Sequence, residues 1–313
     1  HIIHRLIEMD LVVTTLYNTT TVTCNVPETD DGSIDWAIIP AKNAQAYVDA
    51  IKAQYRKDYL YELLNTGWGV YFEYSDGTNL ELENSLCTVD SALLQDSITV
   101  DELDILCRQL NTAINNARFS TIHATSVNPV DVTEVIRNAS FDTGDASGWD
   151  VEGLNSAYNL GYQGASYYNG GAYLSQFIEG WLPTAAGTGL GDGAIKQTIY
   201  GLPAGNYILS ADINASSDNN TTYGVSLFAQ DGSTTSGTSV STYPEQPQHV
   251  EVSFTLDGTS SELTIGVMLE NATANWVAAD NFQLIYLGNG NDALLGDANL
   301  DGTVNISDVT CLI

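Results

Sequence analysis

Residues 201–212 read Gly-Leu-Pro-Ala-Gly-Asn-Tyr-Ile-Leu-Ser-Ala-Asp, a turn followed by a short alternating run. Similar runs flank it, separated by turn residues roughly every 10 to 20 positions. They are Gln197–Tyr200, Gly224–Phe228, Val250–Leu256, Leu263–Leu269 and Phe282–Leu287. Because alternation places every second side chain on one face of a strand, the sequence predicts an antiparallel β-sandwich. We expect its single core to receive Leu202, Tyr207–Leu209, Val225–Phe228 and Phe282–Leu284.

The charge of the chain excludes several classes of partner. Its 313 residues include 39 Asp and Glu against 9 Lys and Arg, a formal net charge of −30. Nucleic acid and anionic membrane surfaces would repel such a protein. The hydrophobic fraction of 43% is that of a folded protein. The longest apolar stretches are interrupted by charges well before the 18 or so residues that a membrane span needs. We therefore predict no nucleic-acid partner and no membrane insertion.

Two helical patterns precede the predicted sandwich. Apolar residues over 43–64 recur at a spacing close to 3.6, and Gly67 follows as an end signal. Thr99 and Glu102 form a capping box before a second helix. Its apolar face carries Leu103, Leu106, Cys107, Leu110, Ile114 and Ala117. Between the helices, 68–83 alternates around Ser-Asp-Gly at 75–77, which predicts a β-hairpin.

The four cysteines allow two interpretations. In a secreted protein Cys24 could pair with Cys87, because Cys107 falls on the helical apolar face and Cys311 lies in another module. Alternatively, all four are unpaired buried thiols.

The C-terminal segment contains a calcium-loop pattern. Residues 297–308 read Asp-Ala-Asn-Leu-Asp-Gly-Thr-Val-Asn-Ile-Ser-Asp. A hard cation takes six to eight oxygen ligands, and the Gly permits the sharp turn between them. The expected ligands are Asp297, Asn299, Asp301, Thr303 and Asp308. The alternative is an Asp/Asn-rich turn that binds nothing.

The stretch 296–313 around this loop resembles the first repeat of a dockerin, in which the last ligand is Asp where EF-hands favour Glu. The resemblance implies a calcium-folded module that attaches secreted proteins to a cohesin-like partner. Dockerins generally carry two such repeats, whereas 289–313 holds one. We therefore expect this module to be truncated, or to serve as a terminal fold element.

A second resemblance covers 130–288. The segments 132–142, Gly148-Trp149, 201–212, 225–229 and 275–288 occur in the order found in the galactose-binding-like jelly roll of secreted Bacteroidetes glycan-processing and surface proteins. The resemblance implies a carbohydrate-binding module preceded by a helical segment. It also implies a structural Ca²⁺ held by Asp142 and Asp280, although both could instead be solvated or backbone-bonded acids. The implied organisation is an α+β region over 1–98, a helix and linker over 99–129, the sandwich over 130–288 and the calcium loop over 289–313.

Aromatic residues in the predicted loops are candidates for stacking on sugar rings. They are Trp149, Tyr162, Tyr167, Tyr168, Tyr173, Trp181, Tyr243 and Trp276. Trp149 and Trp276 lie inside fold motifs, so we expect them in the core. Tyr167, Tyr168 and Trp181 lie in a long insertion before Gln197 and are the better carbohydrate-binding candidates.

The chain contains no His-Glu-x-x-His, Gly-x-Ser-x-Gly or phosphate-loop motif. This absence favours a non-catalytic protein, and the two resemblances imply an extracellular glycan-binding and attachment module. Ser91 and Ser97 follow Asp and precede an aliphatic residue, a pattern similar to the O-glycosylation sites of exported Bacteroidetes proteins. The alternative function is a structural subunit of an extracellular assembly, in which copies of the chain bind one another.

Overall fold

The computed structural model describes residues 21–27, 34–74, 79–95, 97–153, 160–164, 176–182, 189–217, 224–240, 247–260 and 262–290. Within 21–27, 34–48 and 160–164 only the backbone is described. The chain divides into two compact units, His1–Ala117 and Arg118–Ile313. The calcium loop at 297–308, Tyr167 and Tyr168 lie outside the described residues.

The first unit combines a strand pair with helices. Strand β1 (Thr21–Pro27) pairs antiparallel with β2 (Ile34–Pro40). Helices α1 (Ala41–Tyr74), α2 (Leu80–Leu93) and α3 (Val100–Phe119) follow, the last ending just inside the second unit. Their apolar faces form one core around the fully buried Leu60, Leu82, Leu86, Leu103 and Leu110.

The helix predicted over 43–64 is confirmed, but it continues to Tyr74, so the hairpin predicted over 68–83 is wrong. Buried positions continue at helical spacing through Val70 and Tyr71. Gly67 does not end the helix. A Cβ at Gly67 would lie 2.6 Å from Leu86 Cδ2 and 3.2 Å from Ile114 Cδ1, so this glycine lets the helices approach closely.

The capping box before α3 is confirmed. The Thr99 backbone N donates to Glu102 Oε2 at 2.8 Å, and the Glu102 backbone N donates to Thr99 Oγ1 at 3.3 Å. These bonds from the backbone and hydroxyl of Thr99 lower the pKa of Glu102. Because α3 packs on α1 and α2, most of it belongs to the first unit, whereas the sequence suggested a separate segment over 99–129.

The second unit contains the strands of the predicted sandwich. They are β3 (Val130–Asp131), β4 (Asp150–Glu152), β5 (Leu160–Gly164), β6 (Gln176–Trp181), β7 (Gly191–Tyr200), β8 (Gly205–Ser216), β9 (Val225–Asp231), β10 (Thr234–Ser239), β11 (Gln248–Leu256), β12 (Glu262–Ala272) and β13 (Trp276–Tyr286). One sheet has the order β10-β9-β12-β7-β4. The six-stranded sheet has the order β11-β8-β13-β6-β5, with β3 beside β13. The β-sandwich is therefore confirmed.

The core lies between the two sheets, as the alternation predicts. It includes Tyr207, Leu209, Val225, Leu227, Phe282 and Leu284, and Leu202 packs at its margin. Phe228 was expected there too, but it is buried outside this core, because its neighbours Leu227 and Ala229 face inward. Trp149 is a core residue as predicted, and the centroid of its ring lies 4.3 Å from that of the Phe282 ring.

Among the described residues, no helix is both long and apolar enough to cross a bilayer.

Candidate functional site

The outer face of the six-stranded sheet, turned away from the core, carries a row of polar and aromatic side chains. On β13, Val277 and Ala279 face the core, so Trp276, Ala278 and Asp280 face outward. The antiparallel register places residues of β6 and β8 beside them. We use the name "β13 face" for the set Trp181, Glu179, Asp212, Asn214, Trp276, Ala278 and Asp280.

Two tryptophans lie side by side at one end of the β13 face. Trp276 and Trp181 are directly paired residues on neighbouring strands, and both are partly exposed. The Trp276 indole donates from Nε1 to Glu179 Oε2 at 2.7 Å. A hydrogen bond to a carboxylate is stronger than one between neutral groups. The Trp276 ring is therefore held in one orientation while part of its surface stays exposed.

The middle of the β13 face is polar and buried. Ala278 is paired with Glu179 on one side and with Asn214 on the other. Glu179, Asn214 and Asp280 are each 0% exposed. Burying carboxylates costs free energy unless hydrogen bonds or charges compensate. Polar residues at positions where an apolar side chain would pack without that cost are typical of functional sites.

A hydrogen-bonded chain fixes the other end of the β13 face. Asp212, 29% of whose side chain is exposed, has Oδ1 2.9 Å from His249 Nδ1. Its Oδ2 accepts a bond from Asn281 Nδ2 at 2.9 Å. Asn281 has φ +53° at a β-bulge that interrupts the pairing of β13 with β8. The bulge turns the Asn281 side chain towards Asp212, so the Asp212 carboxylate is held from two sides.

This arrangement offers two kinds of recognition on one surface. The indoles present flat apolar rings, and Asp212 presents an oxygen acceptor that water can reach. A ligand with both an apolar face and several hydroxyl groups satisfies both kinds of group.

Some of these residues could be identified from the sequence and others could not. Trp181 was a candidate, and the structure brings it beside Trp276. Trp276 was expected in the core, which is wrong, because strand alternation turns it to the outer face against Phe177 and Ala278. Glu179, Asn214 and Asp212 were not singled out. The available signal was their position, alternating with core residues along β6 and β8.

The two residues of the predicted structural calcium site lie on adjacent segments. The Phe282 backbone N donates to Ala139 O at 3.0 Å, which places the loop of Asp142 beside the strand of Asp280. Asp142 is exposed and accepts from Ser140 Oγ at 2.7 Å. Asp280 is buried and accepts from the Asn281 backbone N at 2.7 Å. In the described part of the chain, no three His, Cys, Asp or Glu side chains form a group that could hold a metal. The Asp142–Asp280 site stays a prediction.

The predicted modification sites lie in the first unit. Ser91 is exposed on α2 and donates to Cys87 O at 2.7 Å, while Ser97 is exposed before α3. Cys87 is exposed on α2, and Cys107 is buried on α3. The side chain of Cys24 lies outside the described residues, so the Cys24–Cys87 disulfide stays a prediction.

No family model matches the chain, and no curated protein does. Solved structures are similar to about half of it. A CBM61 carbohydrate-binding module in complex with β-1,4-galactotriose is 20% identical, covers 48% of this chain and 96% of its own, and has a TM-score of 0.38. A cyclase from Fischerella sp. TAU is 18% identical, covers 50% and 96%, and has a TM-score of 0.40. The CBM22-1 xylan-binding domain from Paenibacillus barcinonensis is 13% identical, covers 48% and 92%, and has a TM-score of 0.35. At such identities and TM-scores the likeness carries no information on function.

Proposed function

We propose that residues 130–288 form a non-catalytic glycan-binding module whose binding surface is the β13 face. The observation that carries the proposal is the direct pairing of two partly exposed tryptophans, Trp181 and Trp276, beside buried polar side chains. The module is of the galactose-binding-like jelly-roll type. Its connectivity supports that type, because from β7 to β13 the chain passes repeatedly between the two sheets.

The physical basis is the two-sided character of a pyranose ring. Its C–H face stacks on an indole, and its hydroxyls exchange hydrogen bonds with carboxylates and amides. The bond from Trp276 to Glu179 fixes the indole before a ligand arrives. Because little side-chain entropy is then lost on binding, more of the contact free energy appears as affinity.

Calcium belongs to this proposal at two places. Asp142 and Asp280 supply the hard oxygen ligands that Ca²⁺ prefers, on segments joined by the Phe282–Ala139 bond. The loop at 297–308 supplies the second site, supported by the spacing of its oxygen side chains. Removal of Ca²⁺ with a chelator should lower the melting temperature of the full chain, and Asp142→Asn should reduce that decrease. An unchanged melting temperature would contradict both calcium sites.

The cellular role that we propose is extracellular, with the glycan as the main partner and a cohesin-like protein as the second one. What supports this is the absence of recognised catalytic motifs from the sequence and the dockerin-like segment at its C-terminus. The alternative role is a structural subunit that binds copies of itself.

A glycan array followed by affinity electrophoresis tests the proposed function. The loss of one stacking indole should weaken binding about tenfold, so Trp181→Ala should bind less well than the wild type. Asp212→Asn provides a second, less disruptive variant. Trp68→Ala, in the helical unit, is the matched control and should leave binding unchanged.

The outcomes separate the candidate sites and roles. Loss of binding in a Tyr167→Ala, Tyr168→Ala variant but not in Trp181→Ala would move the site to the insertion. If no glycan binds at millimolar concentration, the glycan-binding role fails. Ordered fibres in negative-stain micrographs would then favour the structural-subunit role.

A further inference from the structure

The outer face of the five-stranded sheet carries a cavity of about 180 Å³ that is separate from the β13 face. Its apolar lining residues include Phe228, Met268 and Ala194 from β9, β12 and β7. Its polar lining residues include Lys196, Thr264 and Glu262. We use the name "Lys196 hollow" for these six residues. It lies on the opposite side of the sandwich from the tryptophan pair, because the two sheets pack with their inner faces together.

Glycines shape the hollow. The register aligns Phe228 with Gly237 on β10 and with Gly266 on β12, and Gly266 in turn with Lys196 on β7. Gly266 has φ +150°, and a Cβ there would lie 2.0 Å from Ile195 O. No side chain can therefore occupy this position without moving the backbone. The depression between Phe228 and Lys196 is thus built into the strand pairing.

The charges around the hollow favour an uncharged ligand. Lys196 is the only Lys or Arg from residue 138 to the C-terminus. Its Nζ lies 2.7 Å from Glu152 Oε2, and Glu262 also lines the hollow. The Lys196 ammonium is already paired with one carboxylate, and Glu262 adds a second acidic residue to the lining, so an anionic ligand would be repelled. Together these groups can both donate to and accept from neutral hydroxyls.

The size of the hollow limits the occupant further. Pockets for drug-sized ligands measure about 300–1,000 Å³, so the Lys196 hollow suits something smaller, such as one six-membered ring. The exposed parts of Met268 and Ala194 can contact the C–H face of a pyranose, and the polar lining residues can bind its hydroxyls.

We infer that the Lys196 hollow is a second binding site, which takes one neutral pyranose ring, either as a monosaccharide or as a single residue of a glycan. This site goes beyond the proposed function of the β13 face and does not depend on it. Lys196 and Thr264 bind the hydroxyls, and Met268 contacts the ring.

Methionine methyl NMR offers a direct test, because the chain has only two methionines, Met9 and Met268. The full-length protein is labelled with ¹³C-methyl methionine and titrated with methyl β-D-galactopyranoside, methyl β-D-glucopyranoside and methyl β-D-xylopyranoside. Met268→Leu assigns the two signals. We expect the Met268 methyl signal to shift during the titration with at least one probe, and this shift to saturate at millimolar concentrations or above. The Met9 signal should not shift. No shift of Met268 with any of the three probes would overturn the inference.

Variants then locate the binding. Lys196→Gln and Thr264→Val should each raise the dissociation constant about fivefold, the usual effect of losing one hydrogen bond. Lys52→Gln, at an exposed position of the helical unit, is the matched control. Equal affinity in all three variants would overturn the assignment to the hollow. Tighter binding of methyl β-D-glucuronide than of the glucoside would overturn the neutral-ligand part.

One further variant separates this inference from the proposed function. In Trp181→Ala the Met268 shift should persist even if binding at the β13 face is lost. If the shift disappears, Met268 reports on the tryptophan site, and the second site is overturned. If no glycan on the array binds but the Met268 shift saturates, the proposed function of the β13 face is contradicted and the inference about the Lys196 hollow is supported.

Discussion

The two sheets of the sandwich share one core, but their outer faces differ. On the six-stranded sheet, Glu179, Asn214 and Asp280 are fully buried. On the five-stranded sheet the outer face has glycines at 237 and 266 and a single ammonium at Lys196. The first face is polar because of its side chains. The second face has a depression because two of its residues are glycines without side chains. A sheet face can therefore become a candidate site either by burial of charge or by removal of Cβ atoms.

The largest effect is expected on the five-stranded sheet. Gly266→Ala should destabilise the protein by about 3 kcal/mol or more, because the new Cβ would lie 2.0 Å from Ile195 O at φ +150°. Urea unfolding measures the change. Gly237→Ala, in the same row, is the matched control, since its Cβ would come no closer than 3.5 Å to another atom. Similar losses in both variants would show that close strand packing does not shape the hollow.

A smaller effect is expected on the six-stranded sheet. Trp276→Phe removes the donor that lies 2.7 Å from the buried Glu179 carboxylate and should cost about 2 kcal/mol. A double-mutant cycle with Glu179→Gln isolates the pairwise free energy from other consequences of each change. A coupling energy near zero would mean that the bond does not hold the indole, and the preorganisation argument would fail.

The smallest effect concerns the pH dependence of stability and involves Asp131 on β3, which pairs with β13 in the six-stranded sheet. Partial burial raises the pKa of Asp131, but hydrogen bonds from Thr133 and from Gln283 on β13 outweigh it, so the net shift is downward. Since the folded pKa lies below the ordinary Asp value of 3.8, this stabilisation is present above that pH and is lost as pH falls through the folded pKa. Asp131→Asn should therefore flatten the loss of stability below about pH 4. Urea midpoints measured across this range would contradict the prediction if both proteins lost stability equally.

The correct and incorrect sequence predictions differ in the range of the interactions behind them. The capping box of Thr99 and Glu102 could be predicted because both partners lie within one helical turn. The helix end at Gly67 was wrong because that glycine serves contacts with Leu86 and Ile114, which are distant in sequence. The pairing of Trp181 with Trp276 spans about 95 residues, so neither residue signals the other locally.

The sequence by itself determined the acidic character of the chain, the alternating strands of a sandwich and the capped amphipathic helix, because each depends on composition or on short-range periodicity. Strand register is a different matter, since it is set by packing between segments far apart in the chain. Only the tertiary structure decided that Trp276 faces outward beside Trp181, and that Phe228 lies between glycines outside the core. Both candidate sites depend on that register, and for this reason they became visible only in the folded chain.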